Sequence, residues 1–141
     1  MNRVRGYISS RPFLGERVPQ HVQNLVIRDY CNKQSLQYLL SATEYAMVNS
    51  YLILQQVLEE LSLLDGIVFY SLFLLPEDKT ERDRVIQIIL KKEKTIYFAV
   101  EGLRMNNKTE HERIENIWQV KKVLPNCLMK YDYKGNLEEF A

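Results

Sequence analysis

The chain has 141 residues, 46% hydrophobic and 26% charged, which fits one compact domain and excludes wholesale disorder, a collagenous repeat and a disulfide scaffold. Nineteen Lys and Arg stand against eighteen Asp and Glu, so no strong net field draws the chain toward nucleic acid or a membrane surface. The cysteines Cys31 and Cys127 lie far apart with no CxxC or Cys/His spacing, which argues against structural zinc and fits a reducing compartment. The longest apolar runs, residues 66–75 and 85–90, fall short of the roughly 20 residues that a membrane span requires. No apolar export signal opens the sequence, so the expectation is a soluble, cytoplasmic protein without a membrane partner.

Taken in chain order, strand-like apolar segments alternate with longer segments of helical period, the pattern of an α/β domain. Residues 4–9 are expected to form the first strand. A helix begins near Pro19, with Val22, Leu25, Val26, Asp29 and Tyr30 recurring at three and four residues. Residues 36–40 form a short second strand. A helix follows over about 49–63, with Leu52, Leu54, Val57, Leu58 and Leu61 on one broad face. Asp65-Gly66 turns the chain into Ile67-Val68-Phe69-Tyr70, an apolar run suited to a central strand covered on both faces. The next helix covers about 77–92, with Glu77, Asp78 and Glu81 at the positive end of its dipole. Residues 95–100 form a fourth strand. Thr109 to Glu112 reads as a capping box opening a helix that carries Ile114, Ile117, Trp118, Lys121 and Leu124 and that Pro125 closes. Residues 1–125 thus read as one α/β domain, and 126–141 as a tail or docking arm. Cys31, Met47 and Trp118 are read as core or interface residues.

Right-handed crossovers then give a three-layer α/β/α domain around a four-stranded, mainly parallel sheet of order 2-1-3-4. Ligands of such sheets bind beyond the carboxyl ends of the strands, beside the point where the order reverses. The residues expected there are Ser9, Ser10, Arg11, Arg17, Gln20 and His21 after the first strand. Glu44 and Tyr45 follow the second, with Ser41 and Thr43 beside them; Tyr70 and Ser71 follow the third, and Glu101 the fourth. Residues 1–35 hold six basic and two acidic groups, net +4, whereas residues 36–90 hold three and eight, net −5. The neutral total therefore hides a basic first loop. Arg11 and Arg17 suit a phosphate or carboxylate, since a guanidinium fork matches two oxygens. Glu44, Glu101, Ser10 and His21 are the candidates for acid/base or nucleophilic work, and Ser9, Gln20, Tyr45, Tyr70 and Ser71 for orienting a substrate. No Gly-rich dinucleotide loop, P-loop or metal-ligand cluster is present, so no cofactor is expected. Val120 and Val123 widen the apolar surface of the last helix beyond what one sheet face needs, which points to a homodimer or higher homo-oligomer, most simply a twofold dimer.

Gly6-Tyr7-Ile8-Ser9-Ser10, the spacing on to Val18-Pro19-Gln20, and Leu64-Asp65-Gly66-Ile67-Val68-Phe69-Tyr70-Ser71-Leu72 resemble the serine recombinase (resolvase) catalytic domain. That resemblance implies a resolvase-like, Rossmann-like fold. It does not bring the chemistry, because the family's nucleophilic serine falls on Arg11 and its first arginine on Ser9. Its later arginines fall on Phe73-Leu74-Leu75-Pro76-Glu77, which contains none. A fuller resemblance is to the sporadic carbohydrate cluster family of bacterial surface-polysaccharide biosynthesis regions. It rests on Arg5-Gly6-Tyr7-Ile8-Ser9-Ser10-Arg11-Pro12-Phe13, Glu16-Arg17-Val18-Pro19-Gln20-His21, Leu40-Ser41-Ala42-Thr43-Glu44-Tyr45-Ala46-Met47, Tyr70-Ser71-Leu72-Phe73, Leu75-Pro76-Glu77-Asp78 and Ala99-Val100-Glu101-Gly102. This resemblance implies work on capsule or lipopolysaccharide sugars. Two readings follow: a cofactor-free isomerase, epimerase or lyase acting on a sugar phosphate or nucleotide sugar, or a non-catalytic module that binds such a ligand or a partner enzyme.

Overall fold

The computed structural model describes residues 2–12, 17–45 and 51–131, with side chains as far as Lys121. The expected Met47 and the start of the second helix lie outside these residues. The chain separates into two compact units, Met1–Asn107 and Lys108–Ala141.

In the first unit the elements run β1 (Arg3–Ser9), α1 (Gln20–Lys33), β2 (Gln37–Glu44), α2 (Leu52–Glu59), β3 (Gly66–Phe69), α3 (Lys79–Lys91), β4 (Thr95–Phe98) and β5 (Leu103–Met105). The strands form one sheet of order β2-β1-β3-β4-β5, parallel except for β5. The expected order 2-1-3-4 is present, with a fifth strand added. Gly102 makes the reversal into β5 possible: its φ of 64° is a left-handed conformation that costs glycine little. What reads in sequence as one strand over 95–100 is therefore a strand over 95–98 and the first half of the tight turn that leads into β5.

Two contacts show which helix covers which face. Tyr38 pairs with Val4, and its hydroxyl donates to Asn24 of α1 at 3.1 Å. Arg5, the next residue along β1 and so on the other face, bonds Glu60 just past α2 at 3.3 Å. Helices α1 and α2 thus lie on opposite faces, as reversal of the strand order with right-handed crossovers requires. All four residues of β3 are buried, the expected state of a central strand. With Val4, Tyr7, Ile8, Ile96 and Phe98 they form the heart of the core.

Helix α1 corrects the sequence reading in phase. Its buried face is Gln23, Ile27 and Cys31, spaced by four, and Leu25 is 58% exposed. Of the expected stripe, Val22, Val26 and Tyr30 are only half-buried and Leu25 is exposed with Asp29, because the helix turns a polar residue, Gln23, toward the end of β1. Burial pushes the Cys31 thiol up to about 11, so it stays protonated. Strand β2 is also corrected: it runs four residues beyond Leu40. A bulge places Leu40 and Ser41 opposite Gly6, after which pairing resumes as Tyr7 with Ala42, Ile8 with Thr43 and Ser9 with Glu44. The extra residue resets the alternation, which is why Ser41, Thr43 and Glu44 read as a loop.

The second unit is described as a single helix, α4 (Lys108–Tyr131). It begins one residue before Thr109, so Thr109 lies in the first turn and not at the cap, and it continues through Pro125. A proline removes one backbone bond and bends a helix without having to end it. Ile114 and Trp118 are buried, and the Lys121 ammonium sits 4.5 Å from the Trp118 ring centroid. Val120 is exposed as expected, while the side chains of Val123 and Leu124 lie outside the description.

Candidate functional site

Because β1 to β4 are parallel, their carboxyl ends share one edge of the sheet, and the order reverses between β1 and β3. Gln23 sits at the end of β1 on this edge. Its Oε1 accepts from the Ser9 N–H at 3.1 Å, while its Nε2 donates to the carbonyls of Ser9 at 2.7 Å and Val18 at 2.9 Å. The amide supplies what a neighbouring strand would otherwise provide, and thereby fixes where β1 ends. Sequence reading placed the functional glutamine at Gln20, a half-buried first residue of α1. The signal for Gln23 was its place in a stripe with Ile27 and Cys31. Replacing Gln23 with Leu strands three backbone groups, two of them buried, and should cost about 3 kcal/mol. The urea midpoint should fall with an unchanged slope; a loss below about 1 kcal/mol would mean the clamp holds nothing.

Held by this clamp, the fully buried Ser9 turns its hydroxyl to Arg11. Ser9 Oγ accepts from the Arg11 backbone N–H at 3.0 Å and from Arg11 Nε at 3.1 Å. The guanidinium lies 4.3 Å over the Tyr51 ring. Stacked and tethered by Nε, the side chain keeps its two terminal Nη groups without a partner among the described residues. Ser10 is half-buried, and its N–H donates to the Glu44 carbonyl at 2.9 Å.

The two candidate acid/base carboxylates have structural partners. Glu44 is buried, and its Oε1 accepts from the Tyr7 hydroxyl at 2.9 Å and the Leu54 N–H at 3.2 Å, its Oε2 from the Ile53 N–H at 3.1 Å. It caps α2, whose own N-cap, Tyr51, makes no side-chain cap bond. Burial first and the Glu44 charge second hold the Tyr7 phenol far above its usual range, so the proton remains on Tyr7 and is donated to Glu44. Glu101 acts similarly at the other end of this edge, accepting from Ser71 Oγ at 2.8 Å and the Leu72 N–H at 3.0 Å. Ser71 Oγ in turn accepts from Phe73 N–H at 3.2 Å, closing a short turn over Leu72–Leu74. Beyond that turn, buried Arg82 donates to the carbonyls of Pro76 at 3.0 Å and Glu77 at 2.8 Å. Tyr70 is buried beside this turn, its phenol raised by burial and by Glu101.

The structure therefore brings Ser9, Ser10, Arg11, Glu44, Tyr70, Ser71 and Glu101 to one edge. Others lie elsewhere. His21 is exposed on α1 and lines a shallow groove of about 310 Å³ with Asn24, Leu25 and Arg28. Arg17 is exposed in the segment before α1. Tyr45 lines a separate groove of about 340 Å³ between β2 and α2, with Arg5, Thr43, Gln56 and Glu60. Among the described residues no cluster of His, Cys, Asp or Glu is placed to hold a metal ion, and no helix is long and apolar enough to cross a membrane. No protein-family model matches the chain, and no curated protein matches it.

Proposed function

We propose that the chain binds an anionic sugar, a sugar phosphate or nucleotide sugar, at the crevice between the ends of β1 and β3. In this reading it serves bacterial surface-carbohydrate biosynthesis in the cytoplasm. The observation that supports it most is Arg11, whose guanidinium is fixed by Ser9 Oγ and stacked on Tyr51 while its Nη fork has no partner among the described residues. A pre-positioned fork loses little side-chain freedom on meeting a phosphate, and two charge-assisted bonds fix the ligand's orientation. Ser10 stands next to it, and Tyr70 and Ser71 border the other side of the crevice.

The geometry favours a binding role over catalysis for the same residues. Glu44 and Glu101, the carboxylates suited to moving protons, accept hydrogen bonds from backbone N–H groups and hydroxyls that shape the crevice. They are positioning residues in this account, and Arg11 carries the ligand. Calorimetric titration against a panel of sugar phosphates, nucleotide sugars and free nucleotides tests it. At least one compound should bind, and Arg11→Ala should weaken it roughly tenfold to a hundredfold, the value of one charged hydrogen-bonding partner. Arg11→Lys should restore only part, since an ammonium cannot form the fork. Binding to no member of the panel, or binding indifferent to Arg11→Ala, would overturn the proposal. Conversion of the bound compound would return Glu44 and Glu101 to catalytic candidates.

A further inference from the structure

The groove between β2 and α2 is lined by positions that a helix and a sheet ordinarily use for packing. Ile53, Gln56, Val57 and Glu60 recur at three and four residues and form one stripe along α2. Such a stripe is usually apolar throughout, yet two of its four positions here are polar. On the sheet side Ala42 pairs with Tyr7, on the face that also carries Arg5, and its small side chain leaves room above β2. Arg5 is a charged residue on β1, a strand paired on both sides, where charge is rare without a partner. Its partner is Glu60 at 3.3 Å, with 32% and 41% of the two side chains exposed. An ion pair so accessible to water contributes little to stability. Arg5 Nε is buried and has no hydrogen-bond partner, so packing and stability do not account for an arginine at this position.

We propose that this groove binds an uncharged sugar ring. The inference stands apart from the Arg11 reading, because it concerns a different groove and a ligand without charge. The volume, about 340 Å³, is at the small end of the roughly 300–1,000 Å³ of ligand clefts, which suits a ligand of ring size. The guanidinium and the carboxylate stand side by side, so their charges cancel. A phosphate entering here would meet Glu60, and an amine would meet Arg5. The polar groups still available are of both kinds. Arg5 Nη2 only donates, Glu60 Oε1 only accepts, and the Gln56 amide does both; none has a partner among the described residues. A sugar hydroxyl also does both, so such a mixed set matches it better than a row of donors alone. Tyr45, 64% exposed, presents its ring at the groove, and Ala42, Ile53 and Val57 add apolar lining. These surfaces suit the C–H faces of a sugar ring, while the polar groups fix its orientation.

Nitrogen-15 NMR titration of the full chain with the methyl glycosides of glucose, galactose, mannose and N-acetylglucosamine tests this. At least one should shift the amides of Thr43, Tyr45, Gln56 and Val57 saturably, with a dissociation constant on the order of 1 mM for a ligand so small. Gln56→Ala and Tyr45→Ala, both at exposed positions that support little of the fold, should each weaken it roughly fivefold to tenfold. Inorganic phosphate should leave these four amides unmoved; any shift it causes at Ser10 or Ser71 bears on Arg11 and not on this groove. No saturable shift with any glycoside at concentrations well above that constant would overturn the proposal. So would binding that is indifferent to both substitutions. Shifts of the same four amides by phosphate would assign the groove to an anion and overturn it as well.

Discussion

Replacing Glu44 with Ala is expected to destabilise the protein by about 4 kcal/mol, lowering the thermal midpoint by on the order of 10 °C. The size follows from what one buried carboxylate holds. The two first-turn N–H groups of α2, from Ile53 and Leu54, lose their acceptor, as does the fully buried Tyr7 hydroxyl. A lost helix cap costs about 1 kcal/mol, and each buried polar group left unpaired about 1–3 more. Tyr7→Phe removes only the hydroxyl and leaves Glu44 with two donors, so it should cost about 1 kcal/mol. The double variant should be less unstable than the two losses added, because no phenol is then stranded. Differential scanning calorimetry of the three variants reads this directly. A Glu44→Ala protein within about 1 kcal/mol of the parent would show that α2 does not depend on the carboxylate.

Gly66→Ala is expected to be as damaging, for steric reasons. Gly66 sits between Val4 of β1 and Thr95 of β4 in the middle of the sheet. A Cβ there would lie 2.3 Å from the Thr95 carbonyl oxygen and 3.1 Å from the Tyr97 ring. The first obstacle is backbone of a neighbouring central strand, which cannot swing aside as a side chain can. Relief requires β3 and β4 to separate where the ladder starts, at a cost of about 3 kcal/mol or more. Urea denaturation should show a greatly lowered midpoint or no cooperative transition; a loss below about 1 kcal/mol would mean the strands are less closely packed than the geometry states.

These two residues also show what the sequence tells and what it hides. Asp65-Gly66 reads correctly as the entry to a strand. The reason for glycine, close approach of β4, involves a residue 29 positions away, Thr95, and no local pattern carries it. The central strand itself is legible because burial on both faces demands an uninterrupted apolar run. So is α3, whose acidic start includes Asp78, an N-cap that accepts from Glu81 N–H at 3.0 Å. Strand β5 escapes reading because three residues hold too little periodicity. The second half of β2 escapes because its bulge breaks the alternation. In the candidate site, the residue types at the strand ends were visible, but their roles depend on long-range partners. Glu44 reads as a free base until its bonds to Tyr7 and α2 are known. His21 and Arg17 share the first loop and helix turn with Arg11 in sequence, but the helix phase set by Gln23 leaves His21 on the outer face.

The proposed role of Arg11 is to receive an anionic ligand between the ends of β1 and β3. The most direct measurement is a nitrogen-15 NMR titration with a nucleoside diphosphate sugar, following the Arg11 Nε–H and the backbone amides. Saturable shifts are expected for Arg11 Nε–H, Ser10, Ser71 and Leu72, with the amides of His21, Asn24 and Arg28 on the outer face of α1 unmoved. Shifts confined to the α1 groove, or no shift at Arg11 at saturating ligand, would contradict it.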